Sequence, residues 1–221
     1  MTEAEARHWL EEHFTVSRET GEKLEAFIAF LKREAESQNL ISASTLDHIW
    51  DRHIVDSAQL LRFCPDGPQT WIDLGSGAGF PGLVVALLSS HRVTLVESRG
   101  RRIEYLQRAI ALLDLESQVT VAGMPLERVE TAPYSVISAR AFAPLDKLFD
   151  LAARFSTNKT LWLLPKGRNA AKEWEGVKSV WKGEFRIESS VTDAEAGILV
   201  GHLTGKDEKH TAAAAKRHQR R

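Results

Sequence analysis

The chain has 221 residues, 43% of them hydrophobic and 27% charged, with a formal net charge of −1. That balance fits one well-filled core and excludes disordered and collagen-like chains. The single cysteine, Cys64, excludes an intramolecular disulfide framework and a cysteine-cluster zinc site. The longest apolar run, Phe80 to Leu88, falls far short of the roughly 20 residues that span a bilayer. The N-terminal stretch MTEAEARHWLEEHF is acidic and amphipathic, without the basic start and apolar centre of a signal peptide, so the expected compartment is the cytoplasm.

The near-neutral total hides an uneven distribution. His210 to Arg221 carries Lys216, Arg217, Arg220 and Arg221 and no acid. Between Arg92 and Arg108, five arginines face only Glu97 and Glu104. Such runs are either a basic face for a polyanion or ordinary solvated surface.

In chain order, residues 1–64 read as a helical extension. Leu24, Phe27, Ile28 and Leu31 recur at the spacing of one buried helix face. A second helix is expected from about Thr45 to Leu61, where Arg52 and Asp56 are spaced for a helical ion pair. Pro65-Asp66-Gly67-Pro68 then breaks the chain. From Trp71 onward short apolar runs alternate with helical stretches. The runs are Trp71–Leu74, Val93–Glu97, Val119–Ala122, Tyr134–Ser138, Thr160–Leu164, Phe185–Val191 and Ile198–Leu203. Helices are expected at about Gly82–Leu88, Arg101–Leu113, Leu145–Phe155 and Asn169–Trp181. This alternation predicts an α/β domain over residues 65–205 with a mostly parallel sheet, the last two strands pairing antiparallel. Residues 206–221 are expected to form a basic, disordered tail.

The chemistry concentrates in Trp71-Ile72-Asp73-Leu74-Gly75-Ser76-Gly77-Ala78-Gly79-Phe80-Pro81-Gly82. A strand ends, glycines turn sharply, and a helix begins, so a ligand can approach backbone at the sheet's carboxyl edge. Gly77 to Gly82 spells G-x-G-x-x-G, a dinucleotide pattern of low specificity. The next strand ends in Glu97, 22 residues after Gly75, where an acid can hold ribose hydroxyls. That fits NAD or S-adenosylmethionine. The earlier start, Asp73-x-Gly75-x-Gly77-x-Gly79, resembles the first motif of Rossmann-like methyltransferases, which favours S-adenosylmethionine, whose positive sulfonium tolerates nearby carboxylates; Asp73 is then a supporting acid.

Four further segments accompany this turn: Asn39-Leu40-Ile41-Ser42, Arg52-His53-Ile54-Val55-Asp56-Ser57, Ile137-Ser138-Ala139-Arg140-Ala141-Phe142-Ala143 and Leu164-Pro165-Lys166-Gly167. Together they resemble the bacterial 16S ribosomal RNA guanine-N7 methyltransferase family, also called glucose-inhibited division protein B, in order from about Leu24 to Leu203. The chain departs from the family's usual pattern at Ile41, commonly Thr, and at Glu34-Ala35, often Trp-Asn. The resemblance implies a Rossmann-like class I methyltransferase sheet with a helical N-terminal extension. It implies S-adenosylmethionine as cofactor, contacted through Gly75, Gly77, Phe80, Leu126, Glu127 and Arg140, with Glu97 added from the spacing above. It also implies 16S rRNA of the small ribosomal subunit, or an assembly intermediate, as partner, with no membrane or metal, the enzyme acting as a monomer. Arg140 and Lys166 are the positioning candidates for the base. Asn39, Arg52, His53 and Lys166 are the candidate RNA contacts, though His53 equally suits a hydrogen-bonded packing role. Arg99, Arg101 and Arg102, at the start of a helix, serve a phosphate or lie on solvated surface. An S-adenosylmethionine enzyme acting on a protein or small molecule, an NAD-dependent oxidoreductase and a non-enzymatic RNA-binding module are the competing readings.

Overall fold

The structure, a computed structural model, describes residues 1–207. Helix α1 (Glu3–His13) starts in a capping box in which Thr2 and Glu5 satisfy each other's backbone N–H groups. Helix α2 (Arg18–Ala35) is capped by Ser17 and buries Leu24, Phe27, Ile28, Phe30 and Leu31, the predicted face and one residue more.

The second predicted helix is not a regular α-helix. A 3₁₀ stretch (Ala43–His48) leads into a π-helix (Trp50–Val55), a single α turn α3 (Asp56–Ala58) and a second 3₁₀ stretch (Gln59–Phe63). The Asp56 N–H reaches back to the Asp51 carbonyl, the wide closure of a π turn. The Ser57 hydroxyl donates to the His53 carbonyl at 2.6 Å, competing with the backbone ladder.

The remaining chain forms β1 (Thr70–Leu74), α4 (Gly82–Leu88), β2 (Arg92–Val96), α5 (Gly100–Leu112), β3 (Val119–Ala122), β4 (Val136–Ala139), α6 (Leu145–Ala152), β5 (Leu161–Gly167), α7 (Ala170–Val177), β6 (Trp181–Ser189) and β7 (Gly197–Lys206). The strands make one seven-stranded sheet in the order β3-β2-β1-β4-β5-β7-β6. The first five run parallel; β7 pairs antiparallel with both β5 and β6. The expected antiparallel pairing is therefore present, with β7 inserted between β5 and β6. Helix α7 is shorter than expected and β6 starts earlier, at Trp181, because the ladder from Trp181↔Lys206 onward recruits Lys182, Gly183 and Glu184 into the strand. Strand β7 extends to Lys206, so the predicted tail begins one residue later; the rest of it lies outside the described residues.

Alternate side chains of β1 feed two separate cores. Trp71 faces the cluster built by the N-terminal helices, α4 and α5, whereas Ile72 and Leu74 face the cluster of α6, Trp162 and Leu199. The N-terminal helices are continuous with the first core: Phe27 meets Phe80 at 5.3 Å between ring centres, and Phe30 stacks on Tyr105 at 5.2 Å. Arginines of α5 fasten the outside of this joint. Arg108 makes a two-pronged ion pair with Glu34, Arg101 donates to the Ser37 carbonyl, and Arg102 donates to the Asn39 carbonyl. The latter two acceptors lie just beyond the end of α2, where cations are favoured. Two of the three arginines read as phosphate candidates are thus occupied in holding the extension; Arg99 is exposed. Among the described residues no helix is long and apolar enough to cross a membrane.

Because Phe27 is fully buried in this shared core, Phe27→Ala is expected to lower stability by about 3–5 kcal/mol, read by denaturant unfolding. A loss below about 1 kcal/mol would show that the extension is energetically separate.

Candidate active site

The sheet reverses direction of growth between β1 and β4, and the crevice at their carboxyl ends is where ligands bind in such sheets. Gly75, Glu97, Arg140 and Lys166 all follow or end strands at this edge. Gly75 adopts φ +70°, and a Cβ placed there would lie 2.5 Å from the Phe142 ring. Glycine is required both for the turn and for that ring. Beneath the turn, Asp73 is fully buried; it accepts from the Ser138 hydroxyl at 2.7 Å and the Gly82 N–H at 3.4 Å. Burial pushes its carboxyl above the usual carboxylate range. Asp73 therefore ties β1 to β4 and to the start of α4, away from the ligand surface. The Phe80–Pro81 peptide is cis.

Two hollows flank this edge. The smaller, about 220 Å³, is bounded by Gly75, Glu97, Arg102, Met124, Leu126 and Phe142. Glu97 Oε1 accepts from the Ser98 and Arg99 N–H groups at 2.8 and 3.0 Å, and Oε2 accepts from the Gly77 N–H at 3.2 Å. A carboxylate offers about four lone-pair positions, so one remains for a hydroxyl donor. An acceptor-only carboxylate, an open glycine turn and apolar Leu126 and Met124 form a set that fits the ribose, methionine and adenine parts of S-adenosylmethionine. Of the other predicted cofactor residues, Glu127 is exposed beside Leu126. Phe80 is buried, with its ring packed between Phe27 and His53.

The larger hollow, about 710 Å³, includes Thr45, Arg52, His53, Asp56, Arg140 and Lys166 in its wall. Ala141 and Phe142 line both hollows, so the chain after β4 is their common partition. Ala141 sits at φ +52°, in the left-handed region uncommon for a residue with a Cβ. The sequence motif contains Phe142 without marking it as functional; its approach to Gly75, far away along the chain, appears only in the fold.

Arg140 is held entirely by the π-helical segment and its neighbour. Nη1 donates to the Arg52 carbonyl at 3.2 Å and to Asp56 Oδ2 at 3.4 Å; Nη2 donates to His53 Nδ1 at 3.1 Å. Its guanidinium lies 5.2 Å from the centre of the Phe80 ring, on which His53 also stacks at 4.9 Å. Burial draws the Arg140 pKa down, and Asp56 opposes that shift. A guanidinium has no acceptor, so His53 Nδ1 is the lone-pair nitrogen and Nε2 carries the proton toward Thr45 Oγ1, 3.0 Å away. Burial, followed by the positive Arg140 and Arg52, pushes the His53 pKa down to about 3. The predicted Arg52–Asp56 pair is replaced: Arg52 pairs with Asp193 at 3.4 Å, while Asp56 is spent on Arg140. The opened π turn exposes the Arg52 carbonyl for this purpose.

Asn39 stands apart from this group. Its carbonyl is bound to Arg102, next to Glu97, and the segment from Asn39 to Thr45 runs from the smaller hollow to the larger. Lys166 is enclosed; it donates to the Ala143 carbonyl at 3.2 Å and faces Glu173 at 3.0 Å.

The depressed His53 pKa has a definite sign in stability. Above pH 6.5 the imidazole is neutral folded and unfolded; below it the unfolded chain takes up the proton first. Stability therefore falls as pH drops from 6.5 toward 3, with a His53 share of up to about 1.4 kcal/mol per pH unit. His91, also depressed by burial, adds the same sign. His53→Asn is expected to flatten this slope in unfolding measured from about pH 7.5 to about pH 5, across the unfolded imidazole titration, and an unchanged slope would contradict the neutral buried imidazole.

Solved structures share the architecture. A putative O-methyltransferase from Klebsiella pneumoniae superposes with a TM-score of 0.60 at 13% identity, covering 91% of this chain and 97% of that one. A point mutant of MtNAS, solved in complex with S-adenosylmethionine, gives a TM-score of 0.57 at 15% identity over 90% of this chain and 82% of that one. At such identities the likeness concerns fold alone. Sequence relatives are much nearer. Ribosomal RNA small subunit methyltransferase G of Zymomonas mobilis is 50% identical over 218 residues, covering 95% of this chain and 98% of the relative. The protein of the same name from Rhizorhabdus wittichii is 56% identical over 202 residues, 90% and 92% of the two chains. The profile of the GidB family, described as rRNA small subunit methyltransferase G, matches residues 20–200. With that match and these relatives, the chain belongs to the GidB family.

Proposed function

We propose that the protein transfers the methyl group of S-adenosylmethionine to N7 of one guanine in 16S rRNA of the small ribosomal subunit. The family name and the names of the relatives support the ribosomal RNA substrate. The observation that carries the chemistry is the shared partition at Ala141–Phe142, which sets the hollow bounded by Gly75 and Glu97 against a larger hollow with Arg140 in its wall.

S-adenosylmethionine, when bound, supplies a methyl group on a positively charged sulfur. Glu97 and the Gly75–Gly77 backbone are the groups that hold its ribose and methionine parts, with Leu126 against the adenine and Glu127 beside it. Guanine N7 has a free lone pair and no proton, so the chain needs no general base. That agrees with a hollow whose histidine, His53, is neutral and bonded through both nitrogens. The protein's task is placement. Holding N7 in line with the methyl group supplies up to about 7–11 kcal/mol in well-oriented systems. N7 in a paired A-form helix lies in a groove that side chains read poorly, so the base enters the larger hollow unstacked. Arg140, fixed by Asp56, His53 and the Arg52 carbonyl, is the rigid cation facing it. Arg52 lines the hollow and Arg168 follows the lining Gly167; their ion-pair partners are half-buried Asp193 and exposed Glu195. Surface pairs of this kind contribute at most about 1 kcal/mol, so RNA phosphates can replace the carboxylates. Such a substrate makes the cytoplasm the expected compartment.

The test is methyl transfer from radiolabelled S-adenosylmethionine into small subunits and naked 16S rRNA lacking the modification, followed by mapping. Label at a single guanine N7 is expected; cofactor binding without label in either RNA would move the acceptor elsewhere. Arg140→Lys keeps the charge but loses the planar fork, and is expected to lower kcat/KM by about 10–100-fold with the fold intact. An undiminished rate would remove Arg140 from the site.

A further inference from the structure

We propose that Phe142 discriminates the charge state of the cofactor: its ring attracts the positive sulfur of S-adenosylmethionine and lets go of the neutral thioether left after transfer. This rests on the two-hollow reading above.

Transfer from one hollow to the other fixes where the sulfur lies. The methyl group has to cross whatever separates them, and among the described residues only Ala141 and Phe142 line both. Phe142 is also the only aromatic residue in the wall of the smaller hollow. A Cβ built on Gly75 would lie 2.5 Å from Phe142 Cδ2 and 3.4 Å from both flanking carbons, Cγ and Cε2. A face-on approach would leave those three distances closer together, so the ring meets the glycine edge-on and turns its faces elsewhere. Phe142 is half-buried and packs against the core that contains α6, which holds the ring in place. Among the described residues it meets no other ring and no cation, so the negative faces of its π system are uncommitted.

A cation drawn out of water here needs a partner, and the nearby carboxylates are already engaged. Glu97, the one carboxylate in the wall of the smaller hollow, accepts from the Gly77, Ser98 and Arg99 N–H groups. In the larger hollow Asp56 faces Arg140, Glu173 faces Lys166 and Asp193 faces Arg52. Arg140, directly before the partition, adds a like charge. An aromatic face supplies attraction for a cation without a carboxylate. When the N7 lone pair forms the new bond to carbon, the old carbon–sulfur pair stays on sulfur and the positive charge passes to the base. Phe142 then keeps only the weaker contact of a ring with neutral sulfur, so the spent cofactor leaves more readily than the fresh one.

The test is calorimetric binding of S-adenosylmethionine and of S-adenosylhomocysteine, its thioether product, to the full chain. The wild type is expected to bind the sulfonium about 3–30-fold more tightly. Phe142→Leu, with its fold checked by thermal melting, is expected to bring the two affinities within about twofold, by weakening the sulfonium and leaving the thioether within about threefold of wild type. Pentafluorophenylalanine in place of Phe142 keeps an aromatic ring, reverses the charge of its faces and decides the matter where Leu perturbs folding; it is expected to abolish the preference. A wild type without the preference overturns the proposal. So does a variant that keeps the preference, or one that weakens both ligands alike, the mark of packing alone. Glu97→Ala, which leaves the ring intact, is expected to weaken both ligands together by about 10–100-fold. Unchanged affinity for both would refute the placement of the cofactor in the smaller hollow, and the proposal falls with it.

Discussion

A charge drawn largely out of water must be paired, and the holding of half-buried Arg140 organises much of this molecule. Its partners are the Arg52 carbonyl, His53 Nδ1 and Asp56 Oδ2, all on one short piece of the N-terminal segment. The Arg140 and Asp56 side chains are 23% and 20% exposed, so these three bonds hold the guanidinium at the wall of the larger hollow. The extension is thus part of the site and not an ornament on a methyltransferase sheet. The same requirement explains why the segment is a π-helix. A regular α-helix would commit the Arg52 carbonyl to its own ladder and turn His53 and Asp56 by a different angle. The wider turn releases the carbonyl and aims both side chains at one guanidinium.

The fold was legible where local chemistry and global structure agree. The glycine turn after Leu74, the helix Gly82–Leu88 and the two-sided apolar strands carry their own pattern in the residues. The irregular stretch 43–63 was not legible because Leu46, Ile49, Trp50 and Ile54 keep helical spacing whichever hydrogen-bond closure is used. The start of β6 was hidden for the opposite reason. Lys182, Gly183 and Glu184 are poor strand formers, and only their pairing with β7 makes them a strand.

The site divides in the same way. Gly75, Glu97 and Leu126 line one hollow, and each was legible as a residue that follows a strand. The occupations of the arginines were not. Arg101, Arg102 and Arg108 look like an anion site until their acceptors, Ser37, Asn39 and Glu34, are brought across more than 60 residues of chain. Phe142 and Glu173 went unmarked because an aromatic ring after a strand and an acid on a helix are common features. What distinguishes them is a contact with Gly75 for the one and an ion pair with Lys166 for the other, both made only in the fold.

The placement of β7 between β5 and β6 has a bearing on biosynthesis. During synthesis β6 emerges before β7, yet its sheet partner is β7. Until residues 197–206 leave the ribosome, β5 also presents an open edge carrying Leu161, Trp162, Leu163 and Leu164. An unpaired apolar edge invites association with other chains. The five parallel strands can assemble early, but the half of the sheet beside the Lys166–Glu173 wall closes only when the last described strand arrives. The β5 edge therefore stays open longer in synthesis than any edge among the parallel strands, and it is there that a nascent chain is most exposed to association.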